Sequence, residues 1–547
     1  MRFLHSFILA ALSLPCIVSA AFGYTDDGSN HVIDTGSLLV FKVSKTNGDI
    51  TSMVYNGVEY NGYEGKNTQV ESGLGTSTVT IEQFSSPAYI IKVTVTYGTL
   101  IHTYIARYGN NNIYMLTNKG DDTVTALRFI VRIKPDILPH NAIDSDYYDT
   151  PSTAIEASDV TLSTTYGYTK SKHYQGSNYG RTIDYDYVGK STSSLGIWLI
   201  RSNHEKVSGG PFFRSLVRGC ITEHEDLYEI LYYNMGTVDP ERFGLQGPYV
   251  LSFTDGSAPN NALFARKADW SWMDGLGIED WVPSSARGSV AGVGIANMKS
   301  GFTYVAALSN TDAQYWATAT TGTGYFKIVN ALPGTYTLTI YKGELEVYTT
   351  SVTVTAGGVV ALNTITPDDP SDDTAFWRIG DWDGTPAGFT NFDATPMLPT
   401  YMHPSDARLV SWSPPNYIVG TSFAATAMPG YMWVDVNNGH LIYFKLSAAA
   451  TAHTVRIGIT QAYAGGRPQI TVNSWTSAAP AASSQAKTRS LTVGTYRGTN
   501  AMFTYTVPAS AFLTAGSYNI LKINVISGSS GTTYLSPGIS LDAIDFI

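Results

Sequence analysis

The sequence predicts an all-β protein built in three parts, and three observations carry that prediction. Runs of Val, Ile, Thr, Tyr and Phe alternate with polar residues at period two along most of the chain. Hairpin-type turn pairs such as Asn47-Gly48, Asn56-Gly57 and Asn61-Gly62 punctuate them. No long amphipathic helical pattern interrupts the series, and only the segment 265–281 has room for a short helix.

Taken in order, the chain opens with Met1-Arg2, an apolar run from Phe7 to Leu14, and the small residues Val18-Ser19-Ala20. That is the pattern of a signal peptide over residues 1–20, cleaved before Ala21, and it predicts secretion. The run falls short of the roughly 20 apolar residues needed to span a bilayer. The 547-residue chain far exceeds the roughly 250–300 residues that one core supports. Residues 21–284 are read as the first domain, which holds most of the clustered Arg, Lys, His and Tyr. Residues 285–366 read as a small fibronectin-III-like sandwich closing on the turn Pro333-Gly334-Thr335-Tyr336. The stretch from Thr366 to Asp373 is acidic, carries proline and lacks apolar period, so it reads as a linker. Residues 367–547 have the length and strand density of a jelly-roll.

Composition narrows the function. Charged residues make up only 14% while Gly and Tyr number 51 and 36, a mix that suits extracellular carbohydrate-active proteins whose rings stack on sugar faces. A net charge of −10 argues against nucleic acid or an anionic membrane as the partner. It also repels a polyanionic polysaccharide, so a site for one must be a local cluster of Arg and Lys. Cys16 leaves with the signal peptide, and Cys220 then has no intrachain partner. A small buried hydrophobe is the ordinary reading of Cys220, and a catalytic thiol the sharper one.

Three segments of the first domain carry candidate chemistry. In the run Leu127 to Ile133, strand alternation puts Leu127, Phe129, Val131 and Ile133 on one face and Arg128 and Arg132 on the other. Two guanidiniums roughly 13 Å apart are spaced to hold carboxylates of an extended uronate chain. The competing reading is a solvated face, or partners for nearby acids. In Tyr168 to Tyr174, Lys170 and Lys172 share a face, and a Lys beside other cations gives up its proton more easily, as a general base requires. A solvated edge is the plainer account of that run. Tyr232 and its neighbours, beside a Gly turn, suit sugar stacking or core cover equally. The ten His show no metal-ligand spacing. Asp381 and Asp383 offer at most a structural Ca²⁺ turn. Paired carboxylates for hydrolysis stay open among 44 acidic residues.

Together these segments resemble the fungal rhamnogalacturonan lyases of polysaccharide lyase family four. The resemblance runs through Leu127-Arg128-Phe129-Ile130-Val131-Arg132, Ser171-Lys172-His173-Tyr174, Gly244-Leu245-Gln246-Gly247-Pro248-Tyr249 and Met402-His403-Pro404-Ser405. It covers essentially the whole mature chain. It implies a β-super-sandwich catalytic domain, a fibronectin-III-like domain and a carbohydrate-binding-like jelly-roll. It further implies β-elimination at rhamnose-α-1,4-galacturonate bonds of rhamnogalacturonan I, without a catalytic metal or other cofactor, by a monomer. Carried over by position, Lys172 matches the family's catalytic base and Arg128 and Arg132 its substrate-binding arginines. Tyr232 matches a subsite tyrosine, and Arg467 a further contact. One departure stands out. Asn234-Met235-Gly236-Thr237-Val238 occupies the place where the family carries its catalytic His, so Thr237 replaces it. Threonine has no pKa near neutrality, and Gln246 likewise stands where a His is common. Either Tyr232, His224 or another group takes over the catalytic part, or the chain is a weak or inactive relative that binds pectin.

Overall fold

The structure, a computed structural model, describes residues 21–547 except 64, 87–88, 135–136, 139–151, 157–159, 166–168, 172–185, 208, 213–217, 221–224, 233–240, 266, 391–413, 450, 483–499 and 532–535. The described residues are almost wholly β. Residues 1–20, Lys172, His224 and Thr237 lie outside them.

In the N-terminal domain a seven-stranded sheet packs one face against a five-stranded and a four-stranded sheet. Their shared core holds Phe41, Val93, Tyr104, Met115, Phe129, Leu227 and Leu251, all essentially inaccessible. The period-two pattern dictates this arrangement, because each strand must hide one face and no helix is available to cover it. The far face of the seven-stranded sheet is closed by the segment 261–281, where Phe264, Met273 and Leu276 cover Tyr114, Leu116 and Val250. The sequence pattern led us to expect a short helix there. The structure has two single 3₁₀ turns instead, Asn261–Leu263 and Ser271–Met273. Gly275 and Gly277 both sit at positive φ, which ends any helical run, and Trp270 and Trp272 meet the Tyr114 ring of the sheet edge-on.

The middle domain pairs a three-stranded sheet with a four-stranded one, the seven-strand count of a fibronectin-III-like sandwich. It docks on the first domain through a buried carboxylate. Glu205 accepts from Arg287 and from the Tyr315 hydroxyl at 2.7 Å. Arg242 reaches across the same seam, donating to the carbonyls of Asn310 at 3.0 Å and Val207 at 2.8 Å.

The C-terminal domain is a sandwich of two five-stranded sheets around Ile457, Ile459, Leu521, Ile523 and Phe546. The acidic stretch leading into it is tied down at both ends. Asp369 is buried on Lys342 and Asp372 meets Lys299, both cations of the middle domain. Asp373 meets Arg456 of the C-terminal domain, and the carbonyl oxygens of Pro370 and Ser371 accept from Arg378 at 3.3 and 3.1 Å. Fully buried Asp545 gathers Arg378, Arg456 and the Trp382 indole N–H.

Beside this seam the turn carrying Asp381 and Asp383 turns Asp383 toward Asp542. Asp542 accepts from the backbone N–H groups of Asp383 and Gly384 at 3.1 and 2.8 Å, while its second oxygen is buried without a hydrogen-bond partner. Burial pushes the Asp383 carboxyl up to about 6, and burial with the Asp383 charge holds Asp542 well above the ordinary range. A carboxyl whose pKa is raised by folding holds its proton more tightly when folded. The stability this pair contributes is therefore fully present below the unfolded value near 4 and is lost as pH rises through about 6. Asp383→Asn should flatten that fall, which melting temperatures recorded between pH 4 and 8 will check; an unchanged slope contradicts it.

Candidate active site

The strand Leu127–Ile133 lies between Glu225–Tyr232 and the short strand Gln69–Val70. As the alternation requires, Leu127, Phe129, Val131 and Ile133 point into the core while Arg128 and Arg132 stay partly accessible on the other face. Each arginine has found an acid. Arg128 donates from Nη2 to Glu71 at 2.9 Å, and Arg132 donates from Nη1 to Asp226, which also accepts from the Tyr228 hydroxyl. Between them Ile130 is buried with Val207, Tyr228 and Ile230. The Nε groups of both arginines are buried and make no hydrogen bond. Burial raises the Glu71 carboxyl against the pull of Arg128. The face is thus two half-satisfied guanidiniums flanking an apolar saddle, each held in position by an acid.

Tyr232 joins this group through a bulge. The register shifts between Leu127 and Arg128, so Tyr232 pairs with Leu127 and Ile230 with Arg128. The Tyr232 ring lies 5.3 Å from the Lys119 ammonium, which also stands 5.5 Å from the Phe243 ring. Lys119 is almost completely buried and contacts Glu241, with Asp122 at 3.8 Å. Burial pushes the Glu241 carboxyl up to about 7, and Asp122 adds to that against the opposing pull of Lys119. A carboxyl titrating near neutrality beside a tyrosine and a cation is equipped for proton transfer. Neither Lys119 nor Glu241 stood out in the sequence. The only hint was the position of Glu241 four residues beyond Thr237, because its environment is assembled from residues more than a hundred positions upstream.

The remaining candidates fall elsewhere. Ser171 ends a strand of the three-stranded sheet 152–171, and Lys172 follows it immediately, beyond the described residues. Arg467 lies in the C-terminal domain, donating to the carbonyls of Pro480 at 2.6 Å and Gly465 at 3.0 Å. It lines a separate pocket of about 580 Å³ with Tyr463 and Ser529. Gln246 is buried and donates to the Arg242 carbonyl at 3.4 Å. Cys220 ends the short strand Arg218–Cys220. His102 and His440 are pushed down to about 3 and about 4 by burial and so stay neutral. Among the described residues, no group of three or more His, Cys, Asp or Glu converges as metal ligands.

Comparison with known proteins adds an independent line. Residues 22–280 match a family model described as rhamnogalacturonan lyase B, N-terminal. Residues 286–362 and 375–546 match domains II and III of polysaccharide lyase family 4. Rhamnogalacturonate lyase A of Aspergillus aculeatus is 39% identical over 97% of both chains. The protein of that name from Emericella nidulans is 38% identical over 97% of this chain and 96% of its own. The probable rhamnogalacturonate lyase A of Aspergillus clavatus is 39% identical over 99% of both.

The two arginines differ in what their loss would strand. Asp226 is 5% exposed, so Arg132→Ala removes the cation paired with a buried carboxylate and should cost about 3–5 kcal/mol. The Arg128–Glu71 pair keeps nearly a quarter of each side chain accessible, so Arg128→Ala should cost roughly 1 kcal/mol. Urea unfolding of both variants will show the difference, and equal losses would contradict it.

Proposed function

Because this chain belongs to polysaccharide lyase family 4, we propose that it is a secreted rhamnogalacturonan endolyase acting on the pectin backbone by β-elimination. The observation that carries this reading is the Glu241 carboxyl, poised near neutrality beside Tyr232 and Lys119, at the end of the strand that bears Arg128 and Arg132. It supplies an ionisable group in a neighbourhood where Thr237 has none.

In the proposed reaction the galacturonate carboxylate lies against Arg128 and Arg132. Their charge makes the adjacent C5–H acidic enough for a base to remove, the role Lys172 takes by position. The C5–H electron pair becomes the C4–C5 double bond, and the C4–O4 bond breaks. The departing rhamnosyl oxygen takes up a proton, and Glu241 in its protonated form is the donor. An unsaturated galacturonate is left at the new non-reducing end. Glu71 and Asp226 hold the arginines in place and yield part of their hydrogen bonding to the substrate. The chain needs no metal or other cofactor for these steps, and it acts as a monomer.

The replacement of His by Thr237 favours one second reading, a pectin-binding relative with little turnover. Incubation with rhamnogalacturonan I, followed by the ultraviolet absorbance of unsaturated uronate, separates the two. A rise supports the lyase, and its absence with intact folding supports the binder. Glu241→Gln should lower kcat by about 10²–10⁴ and remove the fall in rate as pH rises through about 7. A variant that keeps full activity would exclude Glu241 as donor. Thr237→His should add little if Glu241 already serves, and a large gain would point to a degenerate site.

A further inference from the structure

The seam between the N-terminal and middle domains encloses a cleft of about 640 Å³, within the range of sites that take small ligands. It is separate from the arginine strand: neither Arg128, Arg132, Tyr232 nor Glu241 lines it. Three tryptophans do, Trp270 and Trp281 from the segment covering the seven-stranded sheet and Trp316 from the middle domain. All three are half-buried, so each keeps ring surface for a ligand. Trp316 is held in its plane by stacking on His204, with ring centroids 6.1 Å apart and planes 8° apart. Trp281 is fixed by its indole N–H, which donates to Asp274 at 2.8 Å. Rigid half-open indoles offer flat apolar faces to pyranose rings at little entropic cost.

The charge around them is not neutral. Arg201 and Arg287 line the cleft but are matched by Glu229 and Glu205. Lys267 and Lys327 also line it, are exposed, and form no ion pair among the described residues. Asp186 is the one carboxylate in the lining among the described residues. On a chain of net charge −10, a cleft with two exposed ammonium groups that no carboxylate pairs among the described residues, Lys267 lying 5.8 Å from the Phe264 ring, is a local positive spot. At its floor Arg201 is only 5% exposed, and its Nη2 makes no hydrogen bond.

We propose that this cleft is a second saccharide-binding site that holds an anionic stretch of polysaccharide away from the place of cleavage. The indoles take the sugar faces, and Lys267 and Lys327 take the carboxylates of uronate units. The inference rests on the reading that the substrate is an acidic pectin polymer and extends it to a second contact. Holding the chain at two places raises affinity for long substrates and leaves short ones unaffected.

Electrophoresis of the full chain through gels containing rhamnogalacturonan I tests it, because retardation reads binding without needing turnover. The wild type should be retarded. The double variant Lys267→Ala/Lys327→Ala, altered only at exposed side chains, and the single variant Trp316→Ala should each lose retention, roughly tenfold in apparent affinity. With neutral galactan in the gel, the lysine variant should behave as wild type. KM for polymer should rise in both variants while kcat on short fragments holds. Equal retention of wild type and lysine variant would overturn the proposal, as would equal loss on the neutral polymer. If the cleavage reading itself is wrong, the wild type yields no unsaturated product yet still shows lysine-dependent retention, so the two failures are distinguishable.

Discussion

The architecture depends on one constraint: a carboxylate taken out of water must be met by a cation or by several donors. Glu205 is the clearest instance. Its side chain is 7% exposed and is answered by Arg287 and Tyr315, which belong to the next domain. Neither side of that contact is satisfied alone, so the first two domains have a preferred mutual orientation rather than a hinge. Glu229 does the same within the first domain, where Arg201 and the Ser202 backbone and hydroxyl converge on a carboxylate with no exposure. The tryptophan cleft exists because these anchors hold its two walls at a fixed separation.

The same rule shapes the candidate active site. An arginine pair facing an anionic polymer would be poorly ordered if left solvated. Here Glu71 orients Arg128 and Asp226 orients Arg132, while the Nε of each stays buried without a hydrogen-bond partner among the described residues. In the proposed reaction this fixes the guanidinium geometry before the galacturonate carboxylate arrives. Glu241 follows the opposite logic. Burial costs its anion more than Lys119 returns, so it keeps a proton near neutrality.

How much of this was legible in the sequence varies with the range of the cause. Strand alternation is local, so the division of Leu127–Ile133 into a core face and an arginine face could be read directly. That Ile130, on the arginine face, is also buried could not, because Val207 from a connecting segment and Tyr228 from the neighbouring strand cover it. The helix expected over 265–281 failed for a related reason, since two glycines at positive φ and a sheet to cover outweighed local composition. Glu241 was invisible because its titration is set by burial, with Asp122 adding to it and Lys119 opposing, and the two come from far upstream in the sequence. The pairing of Asp383 with Asp542 joins residues far apart in sequence.

The acidic run between the middle and C-terminal domains has a consequence for how such a chain can be recombined. Composition marks it as a joint, the place where evolution or an engineer would cut and splice. Three of its four aspartates are nevertheless spoken for on both sides, by Lys342 and Lys299 before it and by Arg456 after it. A graft that exchanged the middle domain would carry Asp369, buried on Lys342, into a host lacking that cation, and one that exchanged the C-terminal domain would part Asp373 from Arg456. The inheritable module is therefore the pair of domains with the run between them, and shuffling should respect that larger unit.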